Sequence, residues 1–219
     1  MAIKIIWGVP GAGKTYYTVR KLLGSMGKNR KEHYFTNFPV EHPKKGFTDV
    51  WKSELAKQNI TDSMIVIDEA YRNYNSRDYK KFQHDEHTFF ATNRHLNNDI
   101  FLIAHNPARI DVVIREITEE FILMHCHKVP FLGWPLWFSA DVFLDELAVA
   151  QRYTSPHAIY CVERFPFSRT VGNAYDTHFY RSPDIDQIQF ENWADVLDIA
   201  DDPEDDIAQK PEEAILCST

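Results

Sequence analysis

Short apolar runs alternate with amphipathic segments along most of this chain. The runs at residues 3–7, 65–67 and 100–104 consist almost entirely of apolar side chains. A continuous apolar run indicates a strand that is buried on both faces of a sheet. The candidate strands are residues 3–7, 33–38, 47–51, 65–67, 100–104 and 121–127, and the candidate helices are residues 15–26, 77–93, 110–116 and 139–153. This alternation predicts an α/β fold, in which a mainly parallel sheet is sandwiched between helices that make right-handed crossovers.

The most apolar later segment, residues 129–144, is too short to cross a bilayer and contains two prolines and Asp141. We interpret it as an aromatic-rich buried or interface segment, with a membrane-contacting loop as the alternative. The first ten residues lack the pattern of a signal peptide. We therefore expect no integral membrane segment.

Chain length and cysteine content indicate the class of protein and its redox compartment. The chain has 219 residues, of which 44% are hydrophobic, so it can bury one sizeable core. Its three cysteines, Cys126, Cys161 and Cys217, are widely spaced and form no CxxC motif. This pattern suits a reducing compartment, and it predicts a cytoplasmic protein rather than a disulfide scaffold.

The negative net charge of -8 is concentrated at the C-terminus. Residues 184–219 contain 12 acidic residues and one lysine, which leaves 23 basic and 20 acidic residues in residues 1–183. A segment this acidic is typical of a solvated tail without stable structure. We therefore predict a domain at residues 1–183 and an acidic tail at residues 184–219, and the overall charge does not exclude nucleic-acid binding by the domain.

A phosphate-binding motif follows the first predicted strand. The sequence GVPGAGKT at residues 8–15 satisfies the pattern G-x-x-x-x-G-K-[ST] and lies between a candidate strand and a candidate helix, as the motif requires. In such a loop the backbone N–H groups turn toward phosphate oxygens, and the N-terminus of the following helix adds its positive dipole end. Lys14 is expected to contact the β- and γ-phosphates of ATP, and the Thr15 hydroxyl to bind Mg²⁺. The predicted cofactor-binding residues of this loop are Gly8, Pro10, Gly11, Ala12, Gly13, Lys14 and Thr15.

Two carboxylates follow the strand at residues 65–67. Asp68 and Glu69 are placed where this strand leaves the sheet, the edge at which α/β proteins bind ligands. We predict that Asp68 holds through water the magnesium ion that Thr15 binds, and that Glu69 orients or deprotonates the attacking water. The alternative is a structural role for the pair, such as capping the next helix.

With both motifs placed, the chain resembles the zonular occludens toxin family. This family includes the filamentous phage assembly ATPases and belongs with the wider FtsK/HerA-type motors, which have a RecA-like P-loop fold. The resemblance covers roughly residues 3–180. The segments that carry it are GVPGAGKT at 8–15, FTNF at 35–38, IVIDEA at 65–70, Arg94-His95, DIFLIAHNPARID at 99–111, Arg115 and YDTH at 175–178.

The resemblance implies further site residues. Motors of this class work as rings, in which an arginine of one subunit acts on the nucleotide of its neighbour. Arg94, Arg109 and Arg115 are the candidates, and we rank Arg94 first because it is expected to lie close to the nucleotide edge. Family members have a glutamine after the strand that corresponds to residues 100–104, whereas this chain has His105 and Asn106. His105 is therefore the candidate contact to the γ-phosphate.

The resemblance also implies a function and partners. The leading hypothesis is an ATP-hydrolysing viral motor for DNA packaging or for virion assembly and export. Its expected partners are ATP with Mg²⁺, further copies of the chain in a ring for which a hexamer is one candidate size, DNA, and capsid or membrane-associated virion proteins. The expected location is the host cytoplasm, with association to virions or membranes as a variant. A nucleotide-switched scaffold without fast turnover and a small-molecule P-loop kinase remain the alternatives.

Overall fold

The computed structural model describes residues 1–58, 60–76 and 84–176, together with Phe179 and Trp193. Eight strands of this part form one sheet in the order β10-β9-β8-β1-β7-β6-β2-β5, and β3 and β4 form a separate small hairpin. The strands are β1 Ala2–Trp7, β2 His33–Thr36, β3 Glu41–His42, β4 Gly46–Phe47, β5 Asp49–Val50, β6 Ser63–Ile67, β7 Asp99–Ile103, β8 Glu120–Lys128, β9 Pro135–Phe143 and β10 Cys161–Pro166.

Seven helices flank these strands in the described residues. They are α1 Lys14–Gly27, α2 Glu54–Lys57, α3 His84–Ala91, α4 Asn93–Leu96, α5 Val112–Glu116, α6 Glu146–Gln151 and α7 Arg169–Gly172, and short 3₁₀ turns cover Ala70–Arg72, Pro107–Arg109 and Pro156–Ala158. None of these helices is long and apolar enough to cross a membrane.

The six strands from β8 to β5 in the sheet are parallel, and β9 and β10 add an antiparallel extension beside β8. Successive side chains of a central strand alternate between two cores. Ile6 packs with Tyr17 and Leu22 of α1 on one face of the sheet, and Ile5 packs with Phe89 and Ile114 on the other. Burial on both faces explains the continuous apolar runs, and the predicted α/β sandwich is confirmed.

The predicted helix at residues 139–153 is wrong over its first half. Residues 135–143 form β9, which pairs antiparallel with β8, and only Glu146–Gln151 is helical. Ala140 and Val142 point into one core from alternate positions of this strand, as the period of a strand requires. The prediction rested on the apolar positions Val142, Leu144, Leu147 and Ala148, whose spacing also fits a helix, although Val142 belongs to β9.

The apolar segment at residues 129–144 is only partly buried. Phe138 and Phe143 lie in the core, but the turn that joins β8 to β9 exposes Phe131, Leu132 and Trp134. The first part of the segment is therefore not buried, because those residues extend beyond the last paired residues of the hairpin. That this part forms an interface stays a prediction.

Two expectations about the C-terminus fall on residues outside the described part. These are the boundary between the predicted domain at residues 1–183 and the predicted tail, and most of the acidic tail itself at residues 184–219. Trp193, which lies beyond that boundary, is 4% exposed. Its indole N–H donates a hydrogen bond of 3.2 Å to the hydroxyl of Thr36 at the end of β2.

Candidate functional site

The loop between β1 and α1 adopts a conformation that depends on glycine at two positions. Gly8 and Gly13 have φ angles of +143° and +88°, in the region that side chains rarely adopt. A Cβ atom at Gly8 would lie 2.9 Å from the carbonyl oxygen of Met124, and one at Gly13 would lie 2.5 Å from a ring carbon of Phe138. The backbone of the loop therefore lies in close contact with Met124 and Phe138. The loop leads directly into the N-terminus of α1.

Lys14, the first residue of α1, folds back over this loop. Its Nζ atom donates hydrogen bonds to the carbonyl oxygens of Gly8 at 3.1 Å and Val9 at 3.2 Å. Burial lowers the pKa of Lys14, and the charges of Asp68 and Glu69 oppose that shift. A phosphate group placed in the loop offers this ammonium a charged partner in place of two neutral carbonyls.

Thr15 joins the loop to the carboxylate that follows β6. Its hydroxyl donates a hydrogen bond of 2.8 Å to Oδ2 of Asp68, and the backbone N–H of Glu69 donates one of 2.8 Å to Oδ1. Burial raises the pKa of Asp68, although both of these hydrogen bonds lower it. The Thr15 hydroxyl and the Asp68 carboxylate are adjacent hard oxygen ligands, and such ligands fit the preference of Mg²⁺.

Asn37 fixes the backbone of Asp68 from the neighbouring strand. Its Nδ2 donates to the carbonyl oxygen of Asp68 at 2.8 Å, and its Oδ1 accepts from the N–H of Asp68 at 2.7 Å. Sequence reasoning assigned Asn37 no role, although it lies within the FTNF segment that carried the family resemblance. Its position one residue after β2 was the available signal, since the ends of parallel strands meet at one edge of the sheet.

Glu69 has a backbone conformation that is uncommon for a residue with a side chain. Its φ and ψ angles are 49° and 41°, in the left-handed helical region. This turn directs the carboxylate toward His105, so that Oε1 lies 3.3 Å from Nε2 of the imidazole. The other oxygen, Oε2, and Nδ1 of His105 are buried and have no hydrogen-bond partner among the described residues.

Tyr71 lies beside the pair formed by Glu69 and His105. Its ring centroid lies 6.1 Å from that of His105, and the guanidinium of Arg109 lies 5.3 Å over the Tyr71 ring. Burial raises the pKa of Tyr71, and its hydrogen bond to Glu69 raises it further. Sequence reasoning missed Tyr71, because nothing in its local pattern distinguishes it from a core tyrosine.

The structure brings together most of the predicted site residues. Gly8, Lys14, Thr15, Asp68 and Glu69 meet at the edge formed by the C-terminal ends of β1 and β6. His105 follows β7, the strand that lies between β1 and β6 in the sheet. Of the remaining loop residues, Gly11 also has a positive φ angle, Ala12 is buried, and Pro10 is exposed.

The prediction that Arg94 lies close to the nucleotide edge is wrong. Arg94 belongs to α4, which precedes β7, and it lies in a groove with Ile3 and Glu119 at the N-terminal ends of β1 and β8. Its side chain is 78% exposed, and its Nε lies 3.4 Å from Oε1 of Glu119. The length of the sheet strands separates it from the loop at residues 8–15, so Arg94 does not border the candidate site of its own subunit; its action on a neighbouring subunit stays a prediction.

The other two arginines lie at different places. Arg109 is exposed at the end of the 3₁₀ turn that follows β7, beside Tyr71. Arg115 donates a hydrogen bond of 3.2 Å to the carbonyl oxygen of Ile110 and pairs with Glu146. Arg109 is therefore the arginine of the three that borders the site, whereas Arg115 ties α5 to α6.

Two histidines of β8, His125 and His127, contact side chains of β9. Nε2 of His125 lies 3.1 Å from Oδ2 of Asp141, and His127 stacks on Trp137 at 3.6 Å between ring centroids. Within the described residues, no group of three or more metal-ligating side chains is placed to hold an ion.

Comparison with known proteins agrees with this architecture. The family model of the zonular occludens toxin (Zot) matches residues 35–133, a range that contains Asn37, Asp68, Glu69 and His105 but begins after the glycine-rich loop at residues 8–15. A search of curated protein sequences finds no match.

Solved structures share the fold at low identity. The N-terminal domain of zonular occludens toxin from Neisseria meningitidis is 17% identical, with a TM-score of 0.51 over 80% of this chain and 98% of that domain. The genome packaging NTPase B204 from Sulfolobus turreted icosahedral virus 2, in complex with ATP-gammaS, is 12% identical, with a TM-score of 0.50 over 76% of this chain and 98% of that one. The resemblance to the zonular occludens toxin family is thus confirmed over residues 35–133, within a fold that viral packaging NTPases share.

Proposed function

We propose that this protein is a magnesium-dependent ATPase that works as a viral motor. The observation that carries the proposal is the 2.8 Å hydrogen bond between the Thr15 hydroxyl and the Asp68 carboxylate. It joins two sequence motifs, 53 residues apart, at the edge of the sheet where α/β proteins bind ligands. A glycine-rich turn with a chance lysine has no reason to meet a buried carboxylate there.

The residues of the site divide the chemistry of hydrolysis among them. The phosphate loop binds the β- and γ-phosphates through its N–H groups and through Lys14, which exchanges its carbonyl partners for phosphate oxygens. Thr15 and Asp68 would hold Mg²⁺, which neutralises charge on the transferred phosphoryl group. Asp68 is suited to this role because its buried carboxylate gains a cation where it now has only hydroxyl and amide donors.

Glu69 is the proposed base for the attacking water. Its Oε2 is a buried acceptor without a partner among the described residues, and a water molecule bound at this atom would satisfy it. His105 holds the other carboxylate oxygen and so fixes the direction in which Oε2 points. His105 also stands at the end of β7 between the two motifs, where a γ-phosphate contact is expected.

The motor part of the proposal draws on the likenesses reported above. One structural neighbour is a genome packaging NTPase and another is a zonular occludens toxin domain. By analogy we propose a homo-oligomeric ring that acts on DNA during packaging or virion assembly. Arg109 replaces Arg94 as the arginine proposed to act on a neighbouring subunit, because it is exposed beside Glu69's partner Tyr71.

The test is ATP hydrolysis by the full chain, measured with and without single- and double-stranded DNA. Lys14→Ala is expected to abolish turnover, and Glu69→Gln to retain ATP while slowing hydrolysis by about 10²- to 10⁴-fold. Lys57→Ala and Glu54→Gln, which change exposed residues of α2, serve as matched controls. Unchanged hydrolysis in Lys14→Ala contradicts the assignment of the ATP site. Hydrolysis at the same rate with and without either kind of DNA contradicts the proposed motor function.

The trans role of Arg109 has its own test. Arg109→Ala subunits and Lys14→Ala subunits are each expected to be inactive, but mixing them should restore part of the activity. In a mixed ring, an intact phosphate loop can then meet an intact arginine from its neighbour. Absence of recovery in mixed samples, with assembly confirmed by sedimentation, assigns the arginine elsewhere.

A further inference from the structure

A cavity of about 430 Å³ opens beside the phosphate loop, on the side of the β8–β9 hairpin. It shares Gly13, Lys14 and Thr15 with the loop, whereas its far wall is mainly aromatic. The rings that line it are Tyr16, Phe38, Phe138, Phe167 and Tyr175. Glu69 and His105, the residues proposed to act on the γ-phosphate, lie outside its wall.

The wall is built on a layer of nearly parallel rings. Tyr16 stacks on Phe138 at 4.6 Å between centroids with 22° between planes, and on Phe167 at 5.5 Å with 25°. Tyr16 directly follows Thr15, so the layer is covalently continuous with the phosphate loop. The ring of Phe138 lies beneath Gly13, which it approaches so closely that a Cβ atom has no space there.

The Tyr16 hydroxyl fixes the position of Phe167. It accepts a hydrogen bond of 2.6 Å from the backbone N–H of Ser168 and donates one of 3.4 Å to the carbonyl oxygen of Pro166. Both bonds hold the backbone on either side of Phe167, which therefore cannot move away from α1 without breaking them. Phe167 is nevertheless 38% exposed, whereas Tyr16 and Phe138 are each 3% exposed.

We propose that Phe167 binds the base of a purine nucleotide by stacking. The inference rests on the proposed function, because it takes the phosphates to lie in the loop at residues 8–15. From there the sugar and base must leave toward an opening, and this cavity borders Lys14 and Thr15. Its volume lies in the range of small-molecule sites, which are typically apolar and aromatic with a few polar groups.

Stacking also determines which bases bind well. Every base has a π-face, so an aromatic platform tolerates different bases, but the larger fused ring of a purine overlaps more of the phenyl group. Tripolyphosphate has no base and gains nothing from Phe167. The expected order of affinity is therefore purine triphosphates above pyrimidine triphosphates, with tripolyphosphate weakest.

The experiment is calorimetric titration of the full chain with ATP, UTP and tripolyphosphate, each with Mg²⁺. Phe167→Ala is expected to weaken ATP binding by about tenfold, within the effect of losing one stacked ring, and to leave tripolyphosphate binding unchanged. Phe167→Trp retains a stacking ring and should bind ATP within about twofold of the wild type. Tyr16→Phe keeps the layer but loses both hydrogen bonds, so it should fall between these two.

Tyr153→Ala removes an aromatic side chain that is 84% exposed and does not line the cavity, and it is the matched control. Equal ATP affinity in Phe167→Ala and the wild type overturns the proposal, as does equal affinity of the wild type for ATP and tripolyphosphate. Binding of neither ligand to the wild type instead overturns the proposed function. Thermal melting of each variant separates loss of the base site from loss of the fold, and Phe167→Trp tests the stack where Phe167→Ala fails to fold.

Discussion

Replacing Asn37 by alanine tests how the carboxylates of the site are held. Asn37 makes two hydrogen bonds to the backbone of Asp68, one to its carbonyl oxygen at 2.8 Å and one from its N–H at 2.7 Å. Asp68 is only 9% exposed, so water reaches these backbone groups poorly. In Asn37→Ala both groups lose their partner in a place where solvent does not replace it.

The expected loss of stability follows from these two bonds. A buried backbone group left without a partner costs about 1–3 kcal/mol, more than the net worth of an average hydrogen bond. Partial access of water through the site reduces this cost, so we expect the free energy of unfolding to fall by about 2–4 kcal/mol in total. We also expect a higher Mg²⁺ concentration for half-maximal hydrolysis, because Asp68 loses the support that keeps it against Thr15.

Urea denaturation and ATP hydrolysis measure the two effects. The urea midpoint of Asn37→Ala should decrease without a change in the slope m, which reports the surface exposed on unfolding. Asn73→Ala is the control and should match the wild type in both assays. It changes an exposed asparagine directly after the 3₁₀ turn Ala70–Arg72, which follows Asp68 and Glu69. A wild-type urea midpoint for Asn37→Ala would refute the reasoning, and a lower midpoint with a normal Mg²⁺ requirement would limit Asn37 to a structural role.

Three further predictions concern the same region. Gly13→Ala should lose ATP binding in calorimetry, because the φ angle of +88° and the ring of Phe138 both exclude a Cβ atom; normal binding would mean that the loop can shift. Burial raises the pKa of Asp68 above 3.8, so its carboxyl stabilises the fold most at low pH and loses that contribution as the pH rises through the folded-state value. Without Mg²⁺, Asp68→Asn should therefore gain stability relative to the wild type as the pH rises from 4 to 7 in urea titrations, and a difference that does not change with pH is the contrary result. Phe131→Ser, at a fully exposed turn position, should change that free energy by less than about 0.5 kcal/mol and reduce self-association in sedimentation, whereas a large loss of stability would show that this ring is packed.

Local patterns were sufficient to predict the phosphate loop and the two carboxylates. Each motif consists of a few consecutive residues. The first is a glycine-rich loop before a helix, and the second is an acidic pair after an apolar strand. The parallel central sheet was predictable for the same reason, since β6 and β7 are apolar on both faces. The antiparallel strands were not predictable in this way, because β9 depends on its pairing with β8 and its sequence also fits a helix.

The aromatic layer beside the loop required the tertiary structure. Tyr16 is followed at once by Tyr17, and only the fold shows that Tyr17 packs into the core while the hydroxyl of Tyr16 holds the backbone around Phe167. Tyr16 and Phe167 are 151 positions apart in the sequence, and β10 was not predicted at all. A contact between an unpredicted strand end and the first turn of α1 leaves no trace in local periodicity.

One topological rule explains which of the predicted residues lie at the candidate site. In a parallel sheet, the residues after each strand lie at the C-terminal edge and the residues before each strand lie at the opposite edge. Asn37 and Asp68 come directly after β2 and β6, His105 is the second residue after β7, and all three lie at the candidate site. Arg94 precedes β7 and so belongs to the other edge, where the structure places it beside Glu119. Arg109 follows β7 and lies beside Tyr71 at the edge of the candidate site, and it is the arginine that we propose to test in mixed rings.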